Sequence, residues 1–176
     1  AGYLEISTPS VMDRCLWERS GHWAKYGAHN YSGTTQDGKV FCVKPMSCPG
    51  GMLVFGNGMK SYKDLPLYLA EFGKVNRYES AGALAGLMRV REFTQDDAHI
   101  FCRQDQLKQE FIRVMEIIEI IFKALKFENF EAQISLRDPN NTTKYVGSDE
   151  VWALAEQAII DACKEKNLPA KVEYGD

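Results

Sequence analysis

The chain has 176 residues, of which 45% are hydrophobic and 26% charged, and its formal net charge is −3. This length is enough for about one domain with a buried core, and the composition is typical of globular proteins. The net charge gives no overall basic footprint, so a nucleic-acid contact would have to rest on a local patch or on parts outside this chain. The apolar clusters are much shorter than a membrane span and no signal peptide opens the sequence, which predicts a protein without a membrane anchor.

The five cysteines are odd in number and scattered along the chain. A disulfide framework is denser and even in number, so we predict reduced thiols and a cytoplasmic protein. The first residues enter a strand with no preceding element, and the last residues close a strand with no following one. We therefore expect a fragment or a trimmed chain that forms a single domain over residues 1–176.

Hydrophobic periodicity and turn residues predict the elements in chain order. Strands are expected at residues 3–8, 39–44, 69–79, 88–101 and 130–136, and again at the end of the chain; helices are expected at residues 10–17, 52–57, 105–127 and 149–166. The apolar face of the third helix is expected to be core, with Trp152 packed beneath it. Residues 80–87 are small and rich in glycine, as in a mobile hairpin loop. Hairpin-joined strands with a few long helices predict an α+β fold with an antiparallel sheet.

Polar side chains alternate along the predicted strand at residues 93–101, FTQDDAHIF. Gln95, Asp97 and His99 project to one face, because side chains on a strand alternate between its faces. Arg77 and Glu79 share a face of the preceding strand, and pairing through the loop would collect all five groups on one surface. Such a surface is too costly to desolvate unless its groups are paired or bind a ligand. The alternative is a solvated face with chance alternation.

Arg77 is the best-placed candidate to bind a phosphate or a carboxylate, because a guanidinium donates two parallel hydrogen bonds. Arg89 and Arg91 follow the loop and are candidates to close over a polyphosphate; the alternative is an exposed charged hairpin. Phosphate chemistry gains mainly from positioning and charge neutralisation, which this set of residues can supply.

Cys48 and His99 are residue types that bind zinc, but they are far apart in sequence. A zinc site that also binds substrate needs three protein ligands and an open position, and only two candidates are visible. Cys48 lies in a turn that two prolines and two glycines make tight. His22 is a candidate base, with an ordinary surface histidine as the alternative.

Seven segments, in order over nearly the whole chain, resemble the threonyl-tRNA synthetases of the bacterial type. They are MDR to SGHW at residues 12–23, KPMSCPG at 44–50, KSYKDLP at 60–66, GLMRVR at 86–91, FTQDDAHIF at 93–101, SLRDP at 135–139 and YVGSDE at 145–150. The resemblance implies the class II synthetase fold, in which helices flank an antiparallel sheet. It also implies that residues 2–9 are the end of motif 1, at a homodimer interface, and that residues 69–93 are motif 2.

The activity implied by the resemblance is the ATP-dependent activation of threonine and its transfer to tRNA(Thr), with Mg²⁺ accompanying ATP. Arg77 matches the arginine that contacts the α-phosphate and the threonine carboxylate. Glu79 and Arg89 match residues that hold the adenine and the outer phosphates. Cys48 and His99 match two of three zinc ligands. The zinc binds the amino and hydroxyl groups of threonine, which rejects valine because valine lacks the hydroxyl.

The resemblance implies three further residues that bind threonine, Met46, Gln95 and Asp97, of which Asp97 accepts a hydrogen bond from the hydroxyl. His22 matches a histidine implicated in transfer to the tRNA ribose.

Parts of the family pattern are missing or changed. The third zinc ligand, the motif 3 arginine and the editing and anticodon-binding domains are expected beyond residue 176. Asn76, Ala85 and Gly51 stand where the family commonly has histidine, and these changes are expected to weaken contacts to ATP or to the tRNA acceptor end. Two other functions therefore stay open. One is a catalytically incompetent fragment or paralogue that folds and dimerises, and the other is a synthetase-like ligase that acts on another amino-acid acceptor.

Overall fold

The structure, a computed structural model, describes residues 2–141 and 145–175. The chain divides into two compact units, Ala1–Phe101 and Cys102–Asp176, and each is described here by itself. Strands and helices are mixed in both units, so the predicted α+β class is confirmed. That residues 1–176 form a single domain stays a prediction.

The first unit contains six strands and three helices. They are β1 (Leu4–Glu5), β2 (Val11–Asp13), α1 (Arg14–Arg19), α2 (His22–Tyr26), β3 (Ser32–Thr34), β4 (Val40–Val43), α3 (Cys48–Gly56), β5 (Leu67–Asn76) and β6 (Glu92–Phe101). One sheet has the order β1-β5-β6 and the other the order β2-β4-β3. All pairs are antiparallel except β1 with β5, which is parallel. The predicted antiparallel sheet is therefore present, with one parallel strand added at its edge.

Strands β5 and β6 form the long hairpin on which the candidate site is built. Their register places Leu69 opposite His99 and Glu71 opposite Asp97. Leu69, Glu71 and Val75 are buried, while Phe72, on the other face, is 77% exposed. The period-two pattern thus separates a covered face from a solvent face.

The predicted strand bounds were wrong at the loop end of this hairpin. β5 ends at Asn76 and β6 begins at Glu92, so residues 77–91 form the loop. Within it lie a 3-10 turn at Ala81–Ala83 and an isolated bridge between Ala85 and Arg89. Arg77 still continues the ladder, because its N–H donates to the carbonyl of Arg91 at 2.9 Å.

The helix predicted at residues 10–17 was wrong in its first half. Val11 and Met12 belong to β2, where they pair with β4. Helix α1 begins only after Asp13, whose Oδ1 accepts the N–H of Cys15 at 2.8 Å and so caps it. Helix α3 begins earlier than predicted, at Cys48, because Pro49 in its first turn is compatible with a helix start.

A buried ion pair joins three segments of the first unit. Lys44 Nζ lies 3.4 Å from Glu71 Oε1, and the two side chains are 3% and 5% exposed. Thr8 donates its backbone N–H to Glu71 Oε2 at 2.9 Å and its hydroxyl to Oε1 at 2.9 Å. Burial alone would raise the pKa of Glu71, but the hydrogen bonds it accepts and the charge of Lys44 outweigh burial and lower it. The carboxylate is therefore held in its charged form beneath the sheet.

The described residues of the second unit form two α-helices and two strands, α4 (Leu107–Ala124), β7 (Ala132–Leu136), α5 (Asp149–Glu165) and β8 (Ala170–Tyr174). Strands β7 and β8 are parallel. The core consists of Ile134, Leu136 and Cys163, with Met115 of α4 packed against it. Ser148 caps α5 as predicted, since its Oγ accepts the N–H of Val151 at 3.4 Å.

Most of the apolar stripe of α4 that was predicted to be core is exposed, although Leu107 and Phe111 at its start are half-buried. Val114, Ile118, Ile121 and Leu125 are between 36% and 58% exposed, whereas Ile112 is 5% exposed. The helix has two adjacent apolar stripes, and the one that contains Ile112 and Met115 faces inward. Periodicity alone does not show which of two adjacent apolar stripes faces the core.

Trp152 does not pack as predicted. It forms a T-shaped contact with Tyr145, at 5.5 Å between ring centroids, and the guanidinium of Arg137 lies 5.4 Å from its ring. Its indole N–H donates to the carbonyl of Val146 at 3.0 Å. Trp152 therefore anchors the loop before α5.

All five cysteines are free thiols. Across residues 2–141 and 145–175, none of the helices has the length and apolar character that crossing a bilayer requires.

Removing the positive member of the buried pair is expected to destabilise the fold strongly. Lys44→Met leaves the Glu71 carboxylate buried without its counter-charge, which costs about 3–5 kcal/mol of unfolding free energy. The matched control is Lys74→Met, because Lys74 pairs with Glu92 at the surface, where the side chains are 61% and 53% exposed. Losing that pair costs less than about 1 kcal/mol. Urea unfolding of both variants measures the difference, and equal losses would contradict a structural role for the buried pair.

Candidate functional site

The start of α3 meets the covered face of β6 at a cluster of three metal-ligating side chains. The ligand atoms of Cys48, Asp97 and His99 all lie within 4.8 Å of one another, and all three residues are half-buried. Asp97 and His99 project from one face of β6, as the alternation predicted. Cys48, distant in sequence, is brought to them by the turn at residues 44–47.

Glycines allow this turn and α3 to approach the sheet. A Cβ on Gly73 of β5 would lie 2.5 Å from Ser47 Oγ, and one on Gly51 would lie 3.2 Å from His99 Nδ1. Real Cβ atoms essentially never make the first of these contacts. Gly73 therefore provides the space in which the residue before Cys48 rests.

The donor set of the cluster fits zinc. A thiolate, an imidazole and a carboxylate are the three ligand types that bind Zn²⁺, at about 2.0–2.3 Å in tetrahedral geometry. Such bond lengths put ligand atoms about 3.3–3.8 Å apart, so shifts of about 1 Å would close the present cluster around an ion. Burial raises the pKa of the Cys48 thiol, and the charge of Asp97 raises it further, while Arg77 opposes them. A bound cation would stabilise both anionic ligands.

Next to Cys48 in sequence, Pro45 and Met46 line a cavity of about 440 Å³. The other residues that line it are His22, Tyr26, His29, Asn30, Arg77, Glu79 and Arg89. Arg77 is held in place here, because its Nε donates to the carbonyl of Pro45 at 3.1 Å and its guanidinium lies 5.3 Å from the Phe93 ring. This volume is within the range of small-molecule sites.

Glu79 and Arg89 line the cavity from the β5–β6 loop, and Arg91 contacts Glu79. Arg89 Nη2 lies 3.1 Å from Glu79 Oε2, and Arg91 Nε donates to the carbonyl of Glu79 at 2.9 Å. Arg91 also lies 5.2 Å from the Tyr78 ring. Arg89 and Arg91, both near the end of the loop, therefore contact Glu79. Arg89 is 59% exposed and is the more available of the two to a ligand.

His22 also lines the cavity, at the start of α2. Its Nδ1 is 2.8 Å from Ser20 Oγ, and its ring stacks on Tyr26 at 6.2 Å between centroids. Burial and the positive charge of Lys25 lower the pKa of His22. The imidazole is thus more fully neutral at neutral pH, as a general base requires.

The structure gathers the predicted residues into two groups. His22, Met46, Arg77, Glu79 and Arg89 line the cavity, and Cys48, Asp97 and His99 form the metal-type cluster. Gln95 lies on the same face of β6, two residues from Asp97 and opposite Gly73.

In the stretch that follows His22, sequence reasoning missed three residues of the cavity wall, Tyr26, His29 and Asn30. Tyr26 ends the short helix α2, and His29 and Asn30 lie in the stretch without periodicity after it, so only their place just after His22 could have drawn attention to them. Of the three positions that depart from the family pattern, Gly51 faces His99 and Asn76 donates to Glu92 Oε2 at 3.0 Å. Ala85 lies in the loop bridge.

A model of the tRNA synthetase class II core domain (G, H, P, S and T) matches residues 31–174. The chain belongs to the class II tRNA synthetase core family. Among its relatives are the threonine–tRNA ligases of Parabacteroides distasonis, 57% identical over 176 residues, and Porphyromonas gingivalis, 58% identical over 177 residues. These matches cover 99% of the chain, and the chain spans 27% of the length of each relative. The resemblance to threonyl-tRNA synthetases is confirmed.

Solved structures of the same family share the fold. The RNA-binding domain of the threonyl-tRNA synthetase from Cryptosporidium parvum Iowa II matches with a TM-score of 0.90 and 35% identity, over 99% of this chain and 42% of that one. Prolyl-tRNA synthetase of Giardia lamblia in complex with prolyl-adenylate matches with a TM-score of 0.61 and 23% identity, over 69% of this chain and 25% of that one. The second match supports the class II fold alone.

Adding a methyl group at Gly73 is expected to disturb the turn that leads into Cys48. Gly73→Ala puts a Cβ against Ser47 Oγ, and overpacking of this kind costs about 1–3 kcal/mol. Gly56→Ala is the control, because nothing lies within 4 Å of a Cβ at that position near the end of α3. Thermal or urea unfolding should show a loss for the first variant and no loss for the second. If Gly73→Ala unfolds like the unmodified chain, the close approach is not a constraint.

Proposed function

We propose that this chain is part of the catalytic core of a threonyl-tRNA synthetase, which activates threonine with ATP and transfers it to tRNA(Thr). The observation that carries the proposal is the position of the Cys48–Asp97–His99 cluster directly beside the arginine-lined cavity. The two are near enough that the charge of Arg77 acts on the Cys48 thiol. A zinc-binding cluster next to a fixed guanidinium is suited to an amino acid with a β-hydroxyl, because the cluster can bind the amino and hydroxyl groups and the guanidinium can bind the carboxylate. The names of the relatives agree with that substrate.

Arg77 is the residue to which we assign charge neutralisation in the activation step. The threonine carboxylate attacks the α-phosphate of ATP, pyrophosphate leaves, and the threonyl-adenylate forms. A guanidinium that Pro45 and Phe93 already hold in place stabilises the charge on both reacting groups without reorganising. Glu79 and Arg89, at the loop side, are placed to hold the adenine and the outer phosphates, with Mg²⁺ on the phosphate chain.

We assign threonine recognition to Cys48, His99, Asp97, Gln95 and Met46. Cys48 and His99 would hold a zinc ion, which supplies a Lewis-acid contact for the amino and hydroxyl groups of threonine when bound. Asp97 accepts a hydrogen bond from the hydroxyl, so an isosteric amino acid without that group leaves this half-buried carboxylate without that bond. Gln95 lies near the expected carboxylate, and Met46 lines the cavity wall.

His22 is assigned to the transfer step. The terminal ribose hydroxyl of tRNA must lose a proton as it attacks the adenylate carbonyl, and AMP leaves. A neutral imidazole at the cavity wall is suited to aid that proton transfer.

The proposed protein acts in the cytoplasm as a homodimer, with residues 2–9 at the interface. In support, Leu4 of the edge strand β1 is 57% exposed, which leaves an apolar side chain to be covered. Because the chain spans 27% of its relatives' length, the alternative is a chain that folds and dimerises without catalysis.

Threonine-dependent exchange of labelled pyrophosphate into ATP separates the two functions. The chain with zinc and Mg²⁺ should catalyse exchange, and Arg77→Ala should lower the rate by about 100-fold or more, because it removes a preorganised charge contact. Arg113→Ala, on helix α4 of the other unit, is the matched control and should leave the rate unchanged. Absence of threonine-dependent exchange at high chain concentration would support the non-catalytic alternative.

Metal binding is measured separately from catalysis. Titration with Co²⁺ as a spectroscopic substitute for Zn²⁺ should produce a thiolate-to-cobalt charge-transfer band, which Cys48→Ser abolishes. Asp97→Asn should weaken Zn²⁺ affinity in chelator competition by at least about 10-fold, since the Asp97 carboxylate lies beside the two ligand atoms and its negative charge supports the bound cation. The control is Asp96→Asn, the same charge change on the solvent face of β6. A Cys48→Ser variant that keeps the band would contradict the assigned ligand set.

A further inference from the structure

The side chain of Asn30 is buried in the cavity wall without a hydrogen-bond partner. Asn30 is 9% exposed, and both polar atoms of its amide, Nδ2 and Oδ1, are buried and unpaired among the residues that the structure describes. It lines the same cavity as Arg77. A buried amide without partners is unfavourable, because the groups lose their hydrogen bonds to water and gain none. Such a group in a ligand cavity indicates a partner that a ligand supplies.

Hydrogen bonds hold the backbone on both sides of Asn30. The carbonyl of His29 accepts the N–H of Tyr78 at 2.8 Å, and the carbonyl of Tyr31 accepts the N–H of Val43 at 2.8 Å. The N–H of Asn30 itself donates to the carbonyl of Gly27 at 3.3 Å. The residues on both sides of Asn30 are thus hydrogen-bonded to other segments, His29 to the β5–β6 loop and Tyr31 to β4. The backbone position of Asn30 in the cavity wall is therefore fixed by the fold.

The chemistry of the amide selects the kind of ligand group. An amide offers a donor and an acceptor, which complement a hydroxyl or a pair of hydroxyls. The neighbouring Arg77 and Arg89 favour a ligand that also carries negative charge. The threonine hydroxyl is already assigned to the cluster of Cys48, Asp97 and His99. The remaining hydroxyl groups in the proposed reaction belong to ribose.

We propose that Asn30 is a binding residue for a ribose hydroxyl of a nucleotide in the Arg77 cavity. This inference rests on the proposed function, because that function supplies the nucleotide. Two sources carry the same chemistry, the ribose of ATP and the terminal ribose at the 3′ end of tRNA. His22, assigned to the second of these, lines the same cavity.

Replacing Asn30 with leucine should improve folding and weaken binding together. Asn30→Leu has a similar volume and removes both unpaired polar groups, so the melting temperature without ligand should rise by a few degrees, about 2–4 °C. Asn30→Ala, which removes the amide without adding apolar volume, is measured in parallel in case leucine does not fit. A residue that served only to stabilise the fold would instead lower the melting temperature when replaced. The matched control is Asn57→Leu, at the exposed C-terminal end of α3.

Two binding experiments compare ligands that carry the ribose hydroxyl with ligands that lack it. Calorimetry measures the binding of ATP, 2′-deoxy-ATP and 3′-deoxy-ATP to the unmodified chain. ATP should bind about 10-fold more tightly than one of the two deoxy forms. The Asn30→Leu variant should lose this preference. The second arm uses a short RNA duplex ending in CCA and the same duplex ending in deoxyadenosine. A preference in the first arm assigns Asn30 to ATP, and a preference only in the second assigns it to the tRNA end.

Two results would overturn the inference. If Asn30→Leu keeps the hydroxyl preference of the unmodified chain in both arms, Asn30 does not contact ribose, while the proposed function stands. If the unmodified chain binds neither ATP nor the duplex, the inference and the proposed function fail together.

Discussion

The buried ion pair of Lys44 and Glu71 is the constraint on which the rest of the first unit depends. It joins the end of β4 to the middle of β5, and Thr8 adds the segment that follows β1. Directly after Lys44 come the residues that form the cavity wall and the metal-type cluster, from Pro45 to Cys48. A charge pair without access to water has few alternative arrangements, since breaking it exposes an unpaired ion to a nonpolar interior. The buried pair therefore fixes the position of residues 45–48, which enter the site directly after Lys44.

The β5–β6 hairpin places the rest of the site relative to that anchor. Glu71 lies directly opposite Asp97 in the register, so the anchor and the cluster share one face of the sheet. These two neighbouring carboxylates have different roles. Glu71 is paired with Lys44 and Thr8, whereas Asp97 belongs to the cluster with Cys48 and His99. The same face carries Gln95 and ends at Arg77. One strand pair consequently sets the spacing between the cluster and the guanidinium.

Sequence patterns could predict the parts of this site that regular secondary structure determines. Alternation placed Gln95, Asp97 and His99 on one face, and the motifs identified Arg77 and Cys48. The patterns could not show that the Arg77 cavity includes Asn30, because irregular backbone has no period and its course depends on distant hydrogen bonds to Tyr78 and Val43. They also chose the wrong stripe of α4, where Ile118 and Ile112 belong to neighbouring apolar faces and only tertiary packing selects one.

The contact between Arg77 Nε and the carbonyl of Pro45 restricts how an acidic ligand can approach the guanidinium. Because Nε is occupied, a carboxylate or phosphate has only the two terminal amino groups of the guanidinium to bind, and it must approach end-on. End-on binding fixes the direction of the bound oxygens along the axis of the arginine side chain. The same bond therefore limits the direction from which an acid reaches the guanidinium, and an arginine without this contact would also be open to approach from the Nε side.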